Sequence, residues 1–401
     1  MFAALALFLL SGVPVAFALA ACGITFGFIG VELGVVPPAL MQALPLRMFG
    51  IVANEVLLAI PFFTFMGLIL QRSGMAEDLL ETIGQVFGPV RGGLALAVVF
   101  VGALLAATTG VVAASVISMG LISLPIMLRN GYNQRIACGV ITASGSLAQV
   151  VPPSLVLIVM ADQLGRSVGD MYAGALVPAA LLIGLYAVFV MSVALLRPRW
   201  LPALPLEART FREADGSSGH RSLFVLLLLS IASGWALLRY YPALLLAIGR
   251  DFAPPPDEVV MMGLAAGVLS AFVLALIDSA LRLNWLSALA RRVAFVLVPP
   301  LILIFLVLGT IFLGVATPTE GGAMGAVGAL ALAGARRRLT LRQTGQSLLA
   351  TTKLACFVMF LLIGATVFSL AFQAVDGPDW VEHLFDKLPG GATGFLIFVT
   401  A

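Results

Sequence analysis

Apolar segments, many long enough to cross a lipid bilayer, succeed one another along almost the whole chain. They lie at residues 3–31, 55–70, 94–107, 111–128, 136–150, 154–162, 171–196, 222–248, 259–277, 293–315, 320–335, 353–374 and 393–401. Only 10% of the 401 residues are charged and 61% are hydrophobic, whereas soluble domains carry about 25% charge. A soluble core could not hide this much apolar surface, so lipid must be the solvent for much of it. Inside a bilayer each segment must satisfy its own backbone polar groups. The runs show neither strand alternation nor soluble heptads, so they read as helices. The expected class is an all-α, polytopic integral membrane protein. The run 3–31 has no basic residues ahead of it and reads as one retained span, not a cleaved signal.

Charge then sets the topology. The net charge of +3 comes from Arg and Lys placed between apolar runs. That is a topology signal rather than a patch for nucleic acid, and no nucleic-acid partner is expected. With the N-terminus inside and residues 94–128 entering and leaving on one side, 17 of the 22 basic residues fall on the cytoplasmic side. Only Arg47, Arg166, Arg239, Arg250 and Lys387 fall outside. A full crossing by 94–128 would spoil this asymmetry, so that segment reads as a re-entrant hairpin. The Pro-, Arg- and Ser-rich stretch 197–222 reads as a solvated cytoplasmic linker. Cys22, Cys138 and Cys356 lie in apolar runs without CxxC spacing and read as packing residues.

An internal repeat recurs with an offset near 300. Residues 12–16 resemble 316–320, residues 74–81 resemble 377–384, and residues 92–96 resemble 393–397. The two copies fall on opposite sides of the membrane, which makes the repeat an inverted one, as in secondary transporters. By the same logic a second hairpin and a second broken helix, roughly 70–80 residues, are expected beyond Ala401.

Two segments could carry chemistry. The centre of 94–128 reads Ala-Ala-Thr108-Thr109-Gly110-Val-Val-Ala-Ala-Ser, small residues that let two helices meet at a tight tip. Residues 141–154 read Ile-Thr-Ala-Ser144-Gly145-Ser146-Leu-Ala-Gln149-Val-Val-Pro152-Pro153-Ser154. Adjacent prolines remove two helical hydrogen bonds, so the helix must break near Gln149 to Pro153. The freed carbonyls suit Na⁺, and the N–H groups of the helix that starts near Ser154 suit an anion.

Other candidates take plainer readings. Glu320 reads as a helix N-terminal cap and Asp278 as a cap at a helix end. His220 and His383 lie in loops and make neither a zinc site nor a proton relay. HExxH, GxxxxGK[ST] and a plausible GxSxG are missing, so ATPase, metalloprotease and serine hydrolase chemistry are not expected and the chain reads as no enzyme. The segment 76–87, with Glu77, Asp78 and Glu81, reads as an amphipathic arm helix at the interface, and 379–388 as its counterpart outside.

One resemblance draws these features together. Ile60-Pro61-Phe62-Phe63, Gly67, Ser73-Gly74, Arg91-Gly92-Gly93-Leu94, Leu124-Pro125-Ile126-Met127, Gly131-Tyr132, Pro152-Pro153-Ser154 and Thr317-Pro318-Thr319-Glu320 stand in the order seen in the DctM-type large permease subunit of TRAP transporters. The chain resembles that family along nearly its whole length. The resemblance implies an elevator-type transporter of the ion-transporter superfamily, a multi-pass protein of the bacterial inner membrane. It implies Na⁺-driven uptake of an organic acid such as a dicarboxylate, with no resident cofactor. A periplasmic substrate-binding protein would deliver the acid, and a small four-helix membrane subunit would complete the permease.

Carried over by position, the Na⁺ site would comprise Thr108, Thr109, Gly110, Ser144, Gly145, Ser146, Gln149 and Pro152. Substrate would lie at Pro153 and Ser154. The family often has Ser-Gly-Ser at the hairpin tip, where this chain has Thr109-Gly110-Val111 with one hydroxyl fewer. The implied layout is scaffold spans and an arm helix (1–90), a transport core (91–165), a span (166–196), the linker (197–222), second-half scaffold spans with an arm helix (223–390) and the start of a second hairpin (391–401). A stand-alone anion symporter or exchanger is the competing transport reading. A membrane scaffold is the competing reading from another class, although it would not need two helix-breaking prolines at mid-depth.

Overall fold

The computed structural model describes residues 1–109, 112–205, 219–247, 249, 254–283, 285–386 and 391–400. Among them every regular element is helical. The chain opens with α1 (Phe2–Leu10), α2 (Val15–Glu32), α3 (Pro38–Gln42) and α4 (Leu44–Val52). The 3-10 turn Glu55–Leu58 leads into α5 (Ala59–Arg72), followed by α6 (Met75–Phe87), α7 (Gly93–Thr109) and α8 (Val112–Arg129). Next come α9 (Gln134–Ser146) with the 3-10 turn Leu147–Gln149, α10 (Leu155–Gln163) and α11 (Val168–Leu196). The second half holds α12 (His220–Ala247), α13 (Pro256–Leu281), α14 (Ala288–Phe312), α15 (Pro318–Ala335), α16 (Leu341–Ala374), α17 (Gly377–Asp386) and α18 (Gly391–Thr400). Among the described residues, seven helices are long and apolar enough to cross a membrane. The repeat in sequence has a counterpart in element order. The starts of α2, α6 and α7 recur about 300 residues later as those of α15, α17 and α18.

Two compact units emerge, residues 1–54 with 352–401, and residues 55–351. In the first, α2 and the later part of α16 touch backbone to backbone. A Cβ on Gly23 would lie 2.6 Å from the Val367 carbonyl oxygen, and one on Gly364 would lie 2.4 Å from that of Ala16. Small residues that admit such contact are the usual means of joining helices in lipid, where no hydrophobic force acts between them. This unit corrects the single span expected over 3–31. Gly12 takes a left-handed φ of 81°, Ser11 donates its hydroxyl to the Phe8 carbonyl, and Pro14 has no N–H to continue the helix. The run is therefore two helices, α1 and α2.

The larger unit contains the hairpin. The α7 and α8 helices are separate, and their feet meet. The Leu94 N–H donates to Tyr132 Oη at 3.1 Å. The Gly92 and Asn133 N–H groups donate to the carbonyls of Leu201 and Trp200. The start of α7 and the end of α8 therefore lie together, on the side where α11 ends. This is the hairpin path, entering and leaving on one side, that charge led us to expect. Burial pushes the Tyr132 phenol up to about 12, so it stays a neutral hydroxyl at physiological pH.

The same contacts correct the reading of the linker. Leu201 and Leu204 are buried in the core around α7 and α9, and the Leu204 N–H donates to the Gly88 carbonyl. Residues 200–204 thus clasp the hairpin feet, and only the remainder of the linker is open to the solvated reading. Its centre, 206–218, lies outside the described residues.

The arm helix α6 sets Ala76, Leu79, Leu80 and Ile83 against α7. Its acidic face is paired with arginines. Asp78 accepts from Arg336 and Arg338, both at 3.0 Å, and Glu81 pairs with Arg292 at 2.7 Å. This element thus links the hairpin foot to the start of α14 and the end of α15. The outer arm expected over 379–388 appears as α17, and residues 387–390 lie outside the described ones. Asp278 accepts from the Trp285 N–H at 2.7 Å and pairs with Arg291 at 2.9 Å, closing the turn from α13 to α14.

Candidate functional site

The helix that begins at Gln134 stops where its chemistry requires. Pro152 and Pro153 have no N–H to give to the carbonyls of Ala148 and Gln149, four residues back. The chain tightens through Leu147–Gln149 and then loses helical form until α10. The Ser154 hydroxyl replaces one missing donor, giving its proton to the Gln149 carbonyl at 2.7 Å. It is therefore not used as a side-chain cap on α10, and the first N–H groups of that helix carry no cap from Ser154. Ser154, Pro152 and Pro153 are all buried.

The end of α9 is wedged between the arms of the hairpin. A Cβ on Gly102 of α7 would lie 2.6 Å from Ser144 Cβ, and one on Gly145 would lie 2.3 Å from Val116 Cγ2 of α8. Only glycine at both positions lets α9 sit this close to both arms. The last turns of α7 and α9 share one apolar cluster, in which Ala106, Leu147 and Ala148 are buried with Ala103, Val112 and Val151 against them. The carbonyl ends of α7 and α9 and the N–H ends of α8 and α10 thus gather at one junction. Carbonyl ends favour a cation and N–H ends an anion.

The serine hydroxyls are turned back onto their own helix. Ser144 donates to the Ile141 carbonyl at 3.0 Å and Ser146 to the Ala143 carbonyl at 2.7 Å. With each proton committed, the oxygen lone pairs remain available as acceptors. Hydroxyl and carbonyl oxygens are the donor chemistry that hard cations take.

Most of the candidates named from sequence converge here. Ser144 and Gly145 are buried and Ser146 is half-buried at the end of α9. Thr108 and Thr109 form the last turn of α7, and Gly110 lies outside the described residues. Gln149 stands apart, since its side chain is exposed and only its carbonyl joins the break. Sequence reasoning missed Gly102 and Val116, which form the walls of the wedge. Glu320 sits elsewhere, in a reciprocal cap at the start of α15. Its carboxylate accepts from the Thr317 N–H at 2.8 Å, and its own N–H donates to Thr317 Oγ1 at 3.3 Å.

Comparison with known proteins agrees with this architecture. The model of the family "Tripartite ATP-independent periplasmic transporter, DctM component" matches residues 2–401. A C4-dicarboxylate TRAP transporter large permease protein of Pseudomonas aeruginosa is 34% identical over 197 residues, covering 49% of this chain and 45% of that protein. One from Rhodobacter capsulatus is 25% identical over 362 residues, covering 90% of this chain and 66% of its own. An isethionate TRAP transporter permease protein of Oleidesulfovibrio alaskensis is 29% identical over 181 residues, covering 45% of this chain and 28% of its own. Each match spans less than two thirds of the relative's length. Helical spans, a hairpin, a broken helix and a family match over 2–401 lead to one conclusion: the chain belongs to the DctM component family of the tripartite ATP-independent periplasmic transporters and is a multi-pass membrane protein.

Proposed function

We propose that the protein is the permease of a Na⁺-coupled importer of a small organic acid in the bacterial inner membrane. A periplasmic substrate-binding protein supplies the acid, and a small four-helix membrane subunit completes the assembly. The observation that supports this reading best is the wedge of α9 between α7 and α8, with its break packed against the end of α7 and the start of α8. Names of relatives that specify a C4-dicarboxylate and isethionate suggest a carboxylate or sulfonate of a few carbons.

The mechanism follows from charge. An acid anion buried alone at mid-membrane depth carries a desolvation penalty of several kcal/mol. A Na⁺ ion held nearby offsets it. Ser144, Ser146 and the carbonyls at or near Thr108, Thr109, Gly110, Gly145, Gln149 and Pro152 would hold the ion. The N–H groups after Pro153 and Ser154 would hold the acid. Each ligand strengthens binding of the other, so the acid follows the Na⁺ gradient. Residues 91–165 would carry both across in an elevator motion, with the spans of the two repeats as scaffold and α6 as its brace.

Uptake into proteoliposomes tests this reading. With permease, small subunit and binding protein present, an inward Na⁺ gradient should drive accumulation of radiolabelled succinate or isethionate, and a K⁺ gradient should not. Uptake that ignores Na⁺, or runs at full rate without the binding protein, refutes it.

A further inference from the structure

A cavity of about 390 Å³ opens at the far end of α10 from the break. Its walls include Val56, Val168, Ile311 and Pro318, and its charged lining residues are Asp162 and Arg166. The positive-inside pattern places this face outside the membrane. Arg166 is exposed, and none of the ion pairs among the described residues involves it. Asp162 is already engaged, with one carboxylate oxygen accepting from Gln163 Nε2 at 3.0 Å.

We infer that this cavity is a staging site for the anionic substrate, with Arg166 as its anchor. The inference rests on the proposed uptake of an organic acid and adds a second binding position to it. A guanidinium presents a planar fork of N–H donors that matches a carboxylate, and it stays charged at every relevant pH. Apolar walls lower the local dielectric and strengthen that attraction. The volume falls in the range of small-molecule sites, roughly 300–1,000 Å³. With nine residues in α10, the cavity lies roughly 13 Å along the helix from Ser154. An acid released on the outer face is thus concentrated one short helix away from the junction before the core accepts it. Asp162 opposes this and keeps the staging weak, so that the acid moves on.

The test places a cysteine at Gly169, which lines the cavity. A Cβ there would meet Ser167 Oγ at 3.4 Å and Ile311 Cγ2 at 3.9 Å, ordinary contacts. In the full protein with Cys22, Cys138 and Cys356 changed to Ala, the labelling rates of an anionic sulfonatoethyl and a cationic trimethylammonioethyl thiosulfonate are compared. Arg166→Gln should lower the anionic-to-cationic ratio about fivefold, Arg166→Lys should preserve it, and Asp162→Asn should raise it. Succinate should slow labelling in the parent and not in Arg166→Gln. A ratio unmoved by Arg166→Gln, or succinate protection that is absent in the parent or equal in both, overturns the inference. Neither readout needs a Na⁺ gradient or a partner, so failure of Na⁺-driven uptake would leave this result standing on its own.

Discussion

Gly145→Ala is expected to lower Na⁺-driven uptake at least tenfold while the protein still inserts and purifies. The single added carbon would sit 2.3 Å from Val116 Cγ2 and 3.1 Å from Val116 Cα. Backbone and a β-branched side chain cannot swing aside as a flexible side chain can. The α9 helix must therefore move away from α8, at a cost of about 1–3 kcal/mol for overpacking. A shift of a few tenths of an ångström moves Ser144 and Ser146 relative to α7 and α8, and a proposed ion site there depends on such distances. Two controls separate this from general damage. Gly139→Ala lies on the same helix with nothing within 4 Å of its added carbon and should transport normally. Adding Val116→Ala to Gly145→Ala relieves the clash and should recover much of the lost rate. Normal uptake by Gly145→Ala would remove the wedge from the account.

The double change Pro152→Ala with Pro153→Ala should be more severe, with uptake reduced about a hundredfold or more. It returns two N–H donors to the carbonyls of Ala148 and Gln149. The α9 and α10 helices can then join, which withdraws the carbonyls and N–H groups proposed to hold the ion and the acid. The matching control is Pro299→Ala with Pro300→Ala. Those prolines lie inside α14, which runs unbroken from Ala288 to Phe312, and replacing them should change uptake no more than a few fold. Equal effects of the two double changes would mean that the break has no special part in transport.

The contrast between the two proline pairs shows how far the sequence could be read. Both pairs remove the same hydrogen bonds, yet only one breaks its helix. At Pro152-Pro153 a serine follows and gives its hydroxyl to a freed carbonyl, and Ala103, Ala106 and Val112 at the facing ends of α7 and α8 pack against Leu147, Ala148 and Val151 beside the gap. Pro299-Pro300 lies within a helix that stays continuous. The break was legible because local chemistry fixes it, and the hairpin was legible because the positive-inside rule forbids a full crossing. Gly102 was not legible, because a glycine within an apolar run gives no sign of which neighbour approaches it.

The linker misled for a related reason. Its composition is that of a solvated loop, and two isolated leucines, Leu201 and Leu204, do not betray burial under a hairpin more than 60 residues away. The acidic face of α6 was legible only as the polar side of an interfacial helix. Its partners Arg292, Arg336 and Arg338 lie more than 200 residues downstream, a pairing that no local pattern contains. In the run 3–31, continuous hydrophobicity outweighed the signal of Gly12 and Pro14, which end one helix and start the next.

On the proposed function, the junction of α7, α8, α9 and α10 holds Na⁺. Thermal unfolding of the purified permease, titrated with NaCl against choline chloride at constant ionic strength, tests it most directly. A specific site stabilises the folded state by about 2.7 kcal/mol at a hundredfold excess over its Kd, so the midpoint should rise saturably with Na⁺. The same titration of Ser144→Ala with Ser146→Ala should lose most of that rise while keeping the midpoint in choline close to that of the parent. A Na⁺-dependent rise of equal size in the double variant, or none in the parent, would contradict the account.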